Sequence, residues 1–178
     1  MNLVVIDNST FDNGALAQDR SLHPHAIHAN SVHNMVIQIL ARLRNRGDTI
    51  GNLVIWGHGV PGVQGMGTGM DLNHPVRNRS RVIALDGGGR LVNQDELSRL
   101  CGKFSQGALV ELHGCSVGAH RRGHELLLRL SDLWGVTVEG DTASQPSDRA
   151  NRFFSGPVVQ AYHPQPGQSA QWRLEQRH

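Results

Sequence analysis

Leu109-Val110-Glu111-Leu112-His113-Gly114-Cys115-Ser116 is the stretch on which the fold turns. Its apolar first half reads as a buried strand, and the break at His113-Gly114 marks that strand's C-terminal end. The same punctuation occurs earlier, where Leu53-Val54-Ile55-Trp56 runs into Gly57-His58-Gly59-Val60-Pro61-Gly62. It also opens the chain, where Leu3-Val4-Val5-Ile6 stops at Asp7-Asn8-Ser9. Val136-Thr137-Val138, leading to Gly140-Asp141-Thr142, is a fourth strand of this kind.

Helical periodicity fills the gaps between these strands. Val32, Met35, Val36, Ile39, Leu40 and Leu43 recur at helical spacing, with Ser31 as N-cap and Gly47 as stop. Asn93 is placed to cap a helix running to about Lys103, with Leu97, Leu100 and Cys101 facing the core. Leu126, Leu127, Leu130 and Leu133 define a third helix, from Gly123 to its terminator Gly135. Residues 11–30 and 62–80 read as a long loop and an exposed excursion, and Arg81 to Leu85 as a short strand closed by three glycines. Alternation around Val158 to Tyr162 and again from Trp172 to Leu174 suggests late strands or a hairpin.

Strands alternating with crossover helices predict an α/β domain with a mainly parallel sheet and helices on both faces. Ligand sites in such sheets collect beyond the strands' carboxyl ends. Asp7, His58, Cys115 and Asp141 each follow a strand end by a few residues at most, so parallel pairing brings all four to one rim.

Composition bounds what such a rim can serve. A chain of 178 residues, 38% hydrophobic, buries one substantial core, so residues 1–178 are read as a single domain. Seventeen basic and 15 acidic side chains leave a net charge of only +2. No concentrated cationic field is present, which argues against a nucleic-acid or membrane partner; Arg77 to Arg81, the densest basic cluster, reads as a solvated loop. No run of about 18 apolar residues and no basic region before the first apolar run is found, so a cytoplasmic protein, or one delivered without a leader, is expected. The two cysteines, Cys101 and Cys115, make no disulfide framework and are too few for a zinc ribbon.

Cys115 and His58 are the chemically informative pair. A thiolate is a far better nucleophile than a thiol, and a neighbouring imidazole both promotes ionisation and protonates a leaving amine. Gly59 and Gly114 allow the tight turns that aim peptide N–H groups at a tetrahedral oxyanion, and the backbones of Gly59 and Cys115 are the natural donors. A helix starting soon after Cys115 would favour the thiolate further. Such a mechanism needs no metal or cofactor. His120 and His124, four apart on one helix, could add two imidazoles to Cys115 as zinc ligands, and His23, His25 and His28 form another cluster; solvent-facing histidines are the simpler account of both.

An apolar block ending in His-Gly, followed about 55 residues later by one ending in Gly-Cys, resembles the caspase, gingipain, clostripain, legumain and separase group of cysteine peptidases, clan CD. The segment from Leu109 to Gly118, with Gly123, the leucine-rich helix and Gly135 to Thr142, is also similar to a bacterial caspase-like domain of unknown function. The resemblance covers residues 1–145 in order and 108–143 in motif. It implies a caspase-like three-layer α/β/α sandwich, with Cys115 as nucleophile, His58 as catalytic histidine and a protein or peptide as substrate. The Gln-Ala-Cys-Arg-Gly of caspases is missing, and His113-Gly114 replaces the Asp-x of metacaspases, so neither group's preference carries over. Pockets of this clan draw on positions that here hold Asp7, His113 and Asp141, which implies a basic residue before the cleaved bond. The competing expectation is a catalytically inactive interaction module on the same scaffold; a peptidase could serve as a bacterial effector or process itself.

Overall fold

The computed structural model describes residues 1–8, 23–45, 47–67, 79–143, 157–164 and 167–175. In chain order these form β1 (Asn2–Asp7), β2 (Ile27–Ala29), α1 (Val32–Arg42), β3 (Ile50–Trp56), β4 (Gly59–Val60), β5 (Val63–Gly65) and β6 (Val82–Ala84). They continue with α2 (Gln94–Ser98), β7 (Phe104–His113), α3 (His120–Trp134), β8 (Thr137–Asp141), β9 (Val158–Tyr162) and β10 (Gln171–Glu175). The main sheet has the order β10-β9-β8-β7-β3-β1-β2. Its members from β2 to β8 are parallel, and β9 and β10 add an antiparallel hairpin at one side. The protein is therefore an α/β fold on a mostly parallel sheet.

The steps β2 to β3, β3 to β7 and β7 to β8 all move the same way across the sheet. Right-handed crossovers taken in one direction deposit their helices on one face. Val32, Met35 and Ile39 of α1, Leu97 of α2, and Leu126, Leu127 and Leu130 of α3 accordingly share a core with Val5, Leu53, Ile55, Val110, Leu112 and Val138 of the strands. Each such fully buried Leu or Ile contributes about 1.5–3 kcal/mol relative to exposure. Helices on both faces were expected; among the described residues they cover one. The alternate residues of the same strands point the other way, where Ile6, Ala26 and Trp56 make a small apolar cluster. Glu111, His113, Glu139 and Gln160 continue that second face, which is polar where the first is aliphatic.

Local chemistry explains the helix ends. Ser31 caps α1 through its Oγ, which accepts the Asn34 N–H at 3.1 Å. Gly47 is not the stop: α1 ends at Arg42, and Gly47, at φ 103°, serves the turn before β3. α3 begins at His120, not Gly123, and ends at Gly135 in the left-handed conformation (φ 68°) as the sequence indicates. α2 stops at Ser98, well short of Lys103. Asn93 stands at its N-cap position, but the side-chain amide donates to the carbonyls of Arg79 and Val82 instead of capping. Cys101 thus lies in the turn beyond α2, exposed and outside the core, with its Sγ 3.1 Å from the Leu133 carbonyl oxygen.

Two segments read as irregular contain strands. Ile27–Ala29 pairs with β1 at the sheet edge. Val63–Gly65 is buried and pairs with both β4 and β6, making a three-stranded antiparallel sheet beyond the end of β3. Arg77 and most of the excursion from 68 to 78 lie outside the described residues. No helix among the described residues is long and apolar enough to cross a membrane.

Candidate functional site

β3 and β7 are parallel neighbours matched at Trp56 and His113, whose rings stack with centroids 4.1 Å apart. His58 and Cys115 each stand two residues beyond these matched positions. They therefore leave the sheet side by side at its C-terminal rim, although 57 positions apart in sequence. The two loops are locked by the approach of their glycines. A Cβ on Gly59 would lie 2.8 Å from Gly114 Cα and 2.5 Å from Val117 Cγ2, distances that no side chain tolerates. The Gly62 N–H donates to the Val117 carbonyl at 3.0 Å, tying the hairpin after His58 to the loop after Cys115.

β8 holds the Cys115 loop from its other side. The Gly118 N–H donates to the Asp141 carbonyl at 2.8 Å, and the Ser116 N–H to that of Ala143 at 2.9 Å. Ser116 adopts φ 54°, a left-handed turn directly after Cys115 that costs a non-glycine residue energy and is held by this docking. α3 begins five residues beyond Cys115, three residues nearer to it than the sequence indicates.

Both cysteines are thiols; Cys115 is half-buried and Cys101 exposed. His58 is half-buried, and its Nε2 is enclosed with no hydrogen-bond partner among the described residues. The Gly65 N–H donates to the His58 carbonyl at 2.7 Å, which makes Gly59 and Gln64 a non-hydrogen-bonded pair of the β4–β5 ladder. The Gly59 N–H accordingly points away from β5, while Gly114 packs where a Gly59 Cβ would stand. The two loops that carry the imidazole, the thiol and a backbone N–H turned off the ladder thus pack against one another at Gly59 and Gly114.

The remaining rim residues divide between faces. Asp7 is fully buried at the end of β1, on the helix-covered side with Val5, and its Cβ packs against Gly57. His113 and Asp141 lie on the opposite face. Asp141 is fully buried, and its Oδ1 accepts the Ala143 N–H at 2.9 Å, closing a turn. His113 is buried between Trp56 and Glu111, whose Oε2 lies 3.0 Å from Nε2. Asn52 Nδ2 donates to the other Glu111 oxygen at 3.2 Å. These partners were not anticipated, although Glu111-x-His113 in an otherwise apolar strand is a visible period-2 signal. Gln64 was also missed: fully buried, it lies across Gly57 and Gly114, with its Nε2 3.3 Å from the Gly65 oxygen and its Oε1 without a partner among the described residues. Its two-residue separation from the hairpin turn carries no sequence signal.

The histidine clusters are placed as follows. His120 and His124 both lie on α3, and the ring of Trp172 packs on His124 at 4.1 Å. Burial, and secondarily the charge of His120, hold His124 below its ordinary pKa. Among the described residues no three His, Cys, Asp or Glu side chains form a group able to hold a metal ion.

Comparison with known proteins adds a family. The model of the family described as "Domain of unknown function (DUF4347)" matches residues 3–147, which run from Leu3 in β1 through β8 and include Asp7, His58, His113, Cys115 and Asp141. No curated protein and no solved structure matches the chain. With most of its length under that match, the chain belongs to the DUF4347 family.

Proposed function

We propose that the protein is a caspase-like cysteine endopeptidase that uses Cys115 and His58 as a dyad. The observation that carries this reading is the Trp56–His113 register, which sends His58 and Cys115 off adjacent parallel strands at the same height. Cys115 Sγ, as thiolate, attacks the scissile carbonyl carbon. The Gly59 and Cys115 backbone N–H groups receive the oxyanion, His58 delivers a proton to the departing amine, and water then hydrolyses the thioester, returning the thiol. In this reading the parallel sheet is the central layer of a clan CD sandwich, and the substrate is a protein or peptide, taken as an effector's target or as the chain itself.

Preference for Arg or Lys before the cleaved bond rests on the carboxylates at the rim. Asp7 supports it from one side of the strand ends and Asp141 from the other, with His113 between them in the strand order.

The test combines hydrolysis with alkylation. Matched peptides differing only at the residue before the bond are assayed on the native chain and on Cys115→Ala, His58→Ala, Asp7→Asn and Asp141→Asn. Loss of about 100-fold or more is expected for the first two, and loss of Arg and Lys preference for the aspartate variants. Iodoacetamide should modify Cys115 faster than Cys101 at neutral pH, and His58→Ala should slow only Cys115. Cys101 is the more exposed thiol, so faster reaction at Cys115 reports ionisation and not access. Undiminished hydrolysis by Cys115→Ala refutes the nucleophile. Absence of hydrolysis with a sluggish Cys115 supports the inactive interaction module instead.

A further inference from the structure

β10 ends the main sheet and pairs only with β9. Its outer backbone edge is open among the described residues, and an open edge is a template for another strand. Trp172 and Leu174 alternate onto the helix-covered face, where they remain 48% and 56% exposed despite their size. Arg173 and Glu175 alternate onto the other face, 3.9 Å apart. The Arg173 guanidinium lies 4.8 Å above the Tyr162 ring, and Glu175 Oε2 is 3.3 Å from Gln160 Nε2, so both charges are held near the edge.

We propose that the partner of this edge is a second copy of the same chain, joined β10 to β10 in antiparallel fashion across a two-fold axis. The proposal is independent of the peptidase reading. A two-fold axis perpendicular to the sheet keeps each face on its own side, so only residues of like face stand opposite one another. Three registers are then central on this strand. In one, Arg173 faces its own copy, and like charges directly opposite are destabilising. In another, Trp172 faces its own copy and Arg173 stands opposite the uncharged Gln171. In the third, the axis passes beside Leu174. Leu174 then meets Leu174, and Arg173 of each copy stands opposite Glu175 of the other, giving two cross-strand ion pairs. Charge favours this third register. It continues the sheet through both molecules and brings the exposed Trp172 and Leu174 of the two copies together beside their α3 helices.

The 178-residue chain is studied by sedimentation equilibrium over a concentration series, with circular dichroism to confirm folding. A reversible monomer–dimer equilibrium is expected. Arg173→Glu alone and Glu175→Arg alone should each weaken the dimer about tenfold by replacing two attractions with two repulsions. Arg173→Glu combined with Glu175→Arg should restore it, because the pairing is reversed but intact. Arg173 is exposed and Glu175 half-buried at the sheet edge, outside the hydrophobic core, so both positions tolerate a charged replacement. A monomer at every concentration overturns the proposal, as does a dimer indifferent to the single charge reversals or not restored by the double one.

Discussion

Gly118 shows how tightly single residues hold the site. A Cβ there would stand 2.4 Å from the Gly140 carbonyl oxygen, and backbone of a central strand cannot give way as a side-chain tip would. Gly118→Ala is therefore expected to destabilise the protein by about 1–3 kcal/mol, read as a lower urea midpoint. Because the Gly118 N–H also ties the Cys115 loop to Asp141, iodoacetamide reaction at Cys115 should fall toward that of an ordinary thiol. An unchanged midpoint would mean that the loop re-docks freely. Residue identity pointed to His58 and Cys115 because each pairs reactive chemistry with a neighbouring glycine. It misjudged Cys101, since helical periodicity alone extended α2 past Ser98; in the structure the Asn93 side chain is spent on Arg79 and Val82 and the helix is short.

Among the elements, α1 has the most legible start. Ser31 sits at the N-cap and accepts the Asn34 N–H, satisfying one of the helix's first donors. Ser31→Ala should cost about 1 kcal/mol and Ser31→Asp should cost little, measured by thermal or denaturant unfolding. Equal losses in both would show that Ser31 acts through something other than its cap. Longer elements with a full apolar period, β1, β3, β7, α1 and α3, could be read from sequence. β2 and β5 could not: a three-residue strand has no period to recognise, and its place is granted by the neighbour it pairs with.

On the scale of the whole molecule, His163 links the C-terminal hairpin to the rest. Its Nδ1 lies 2.7 Å from the Gln168 carbonyl oxygen and its Nε2 3.0 Å from that of Ser131 on α3. A neutral imidazole has one N–H and serves one carbonyl; the imidazolium serves both. The Ser131 carbonyl first, then that of Gln168, and to a lesser degree the charge of Asp132 raise the His163 pKa above 6.5, against a smaller opposing effect of burial. A raised folded-state pKa means that the stabilisation is fully present below about 6.5 and is lost as pH rises through the folded value. The melting-temperature difference between the native chain and His163→Gln should therefore be larger near pH 5.5 than near about pH 8. A difference that is constant or grows with pH contradicts this linkage.

Sequence by itself determined the α/β class, the central strands, the hairpin tail and the positions of His58 and Cys115 just beyond two strand ends. These follow from local quantities: apolar periods long enough to recognise, glycines and caps at their ends, and the short-range rule that parallel strands need crossovers. Tertiary structure alone decided the strand order, the single face on which the described helices lie, the division of Asp7 from His113 and Asp141, and the burial of Gln64. Each of those depends on which strand lies beside which and in what register. A one-residue shift of register turns every side chain of a strand to the other face, and that choice is made by the packing of the entire core.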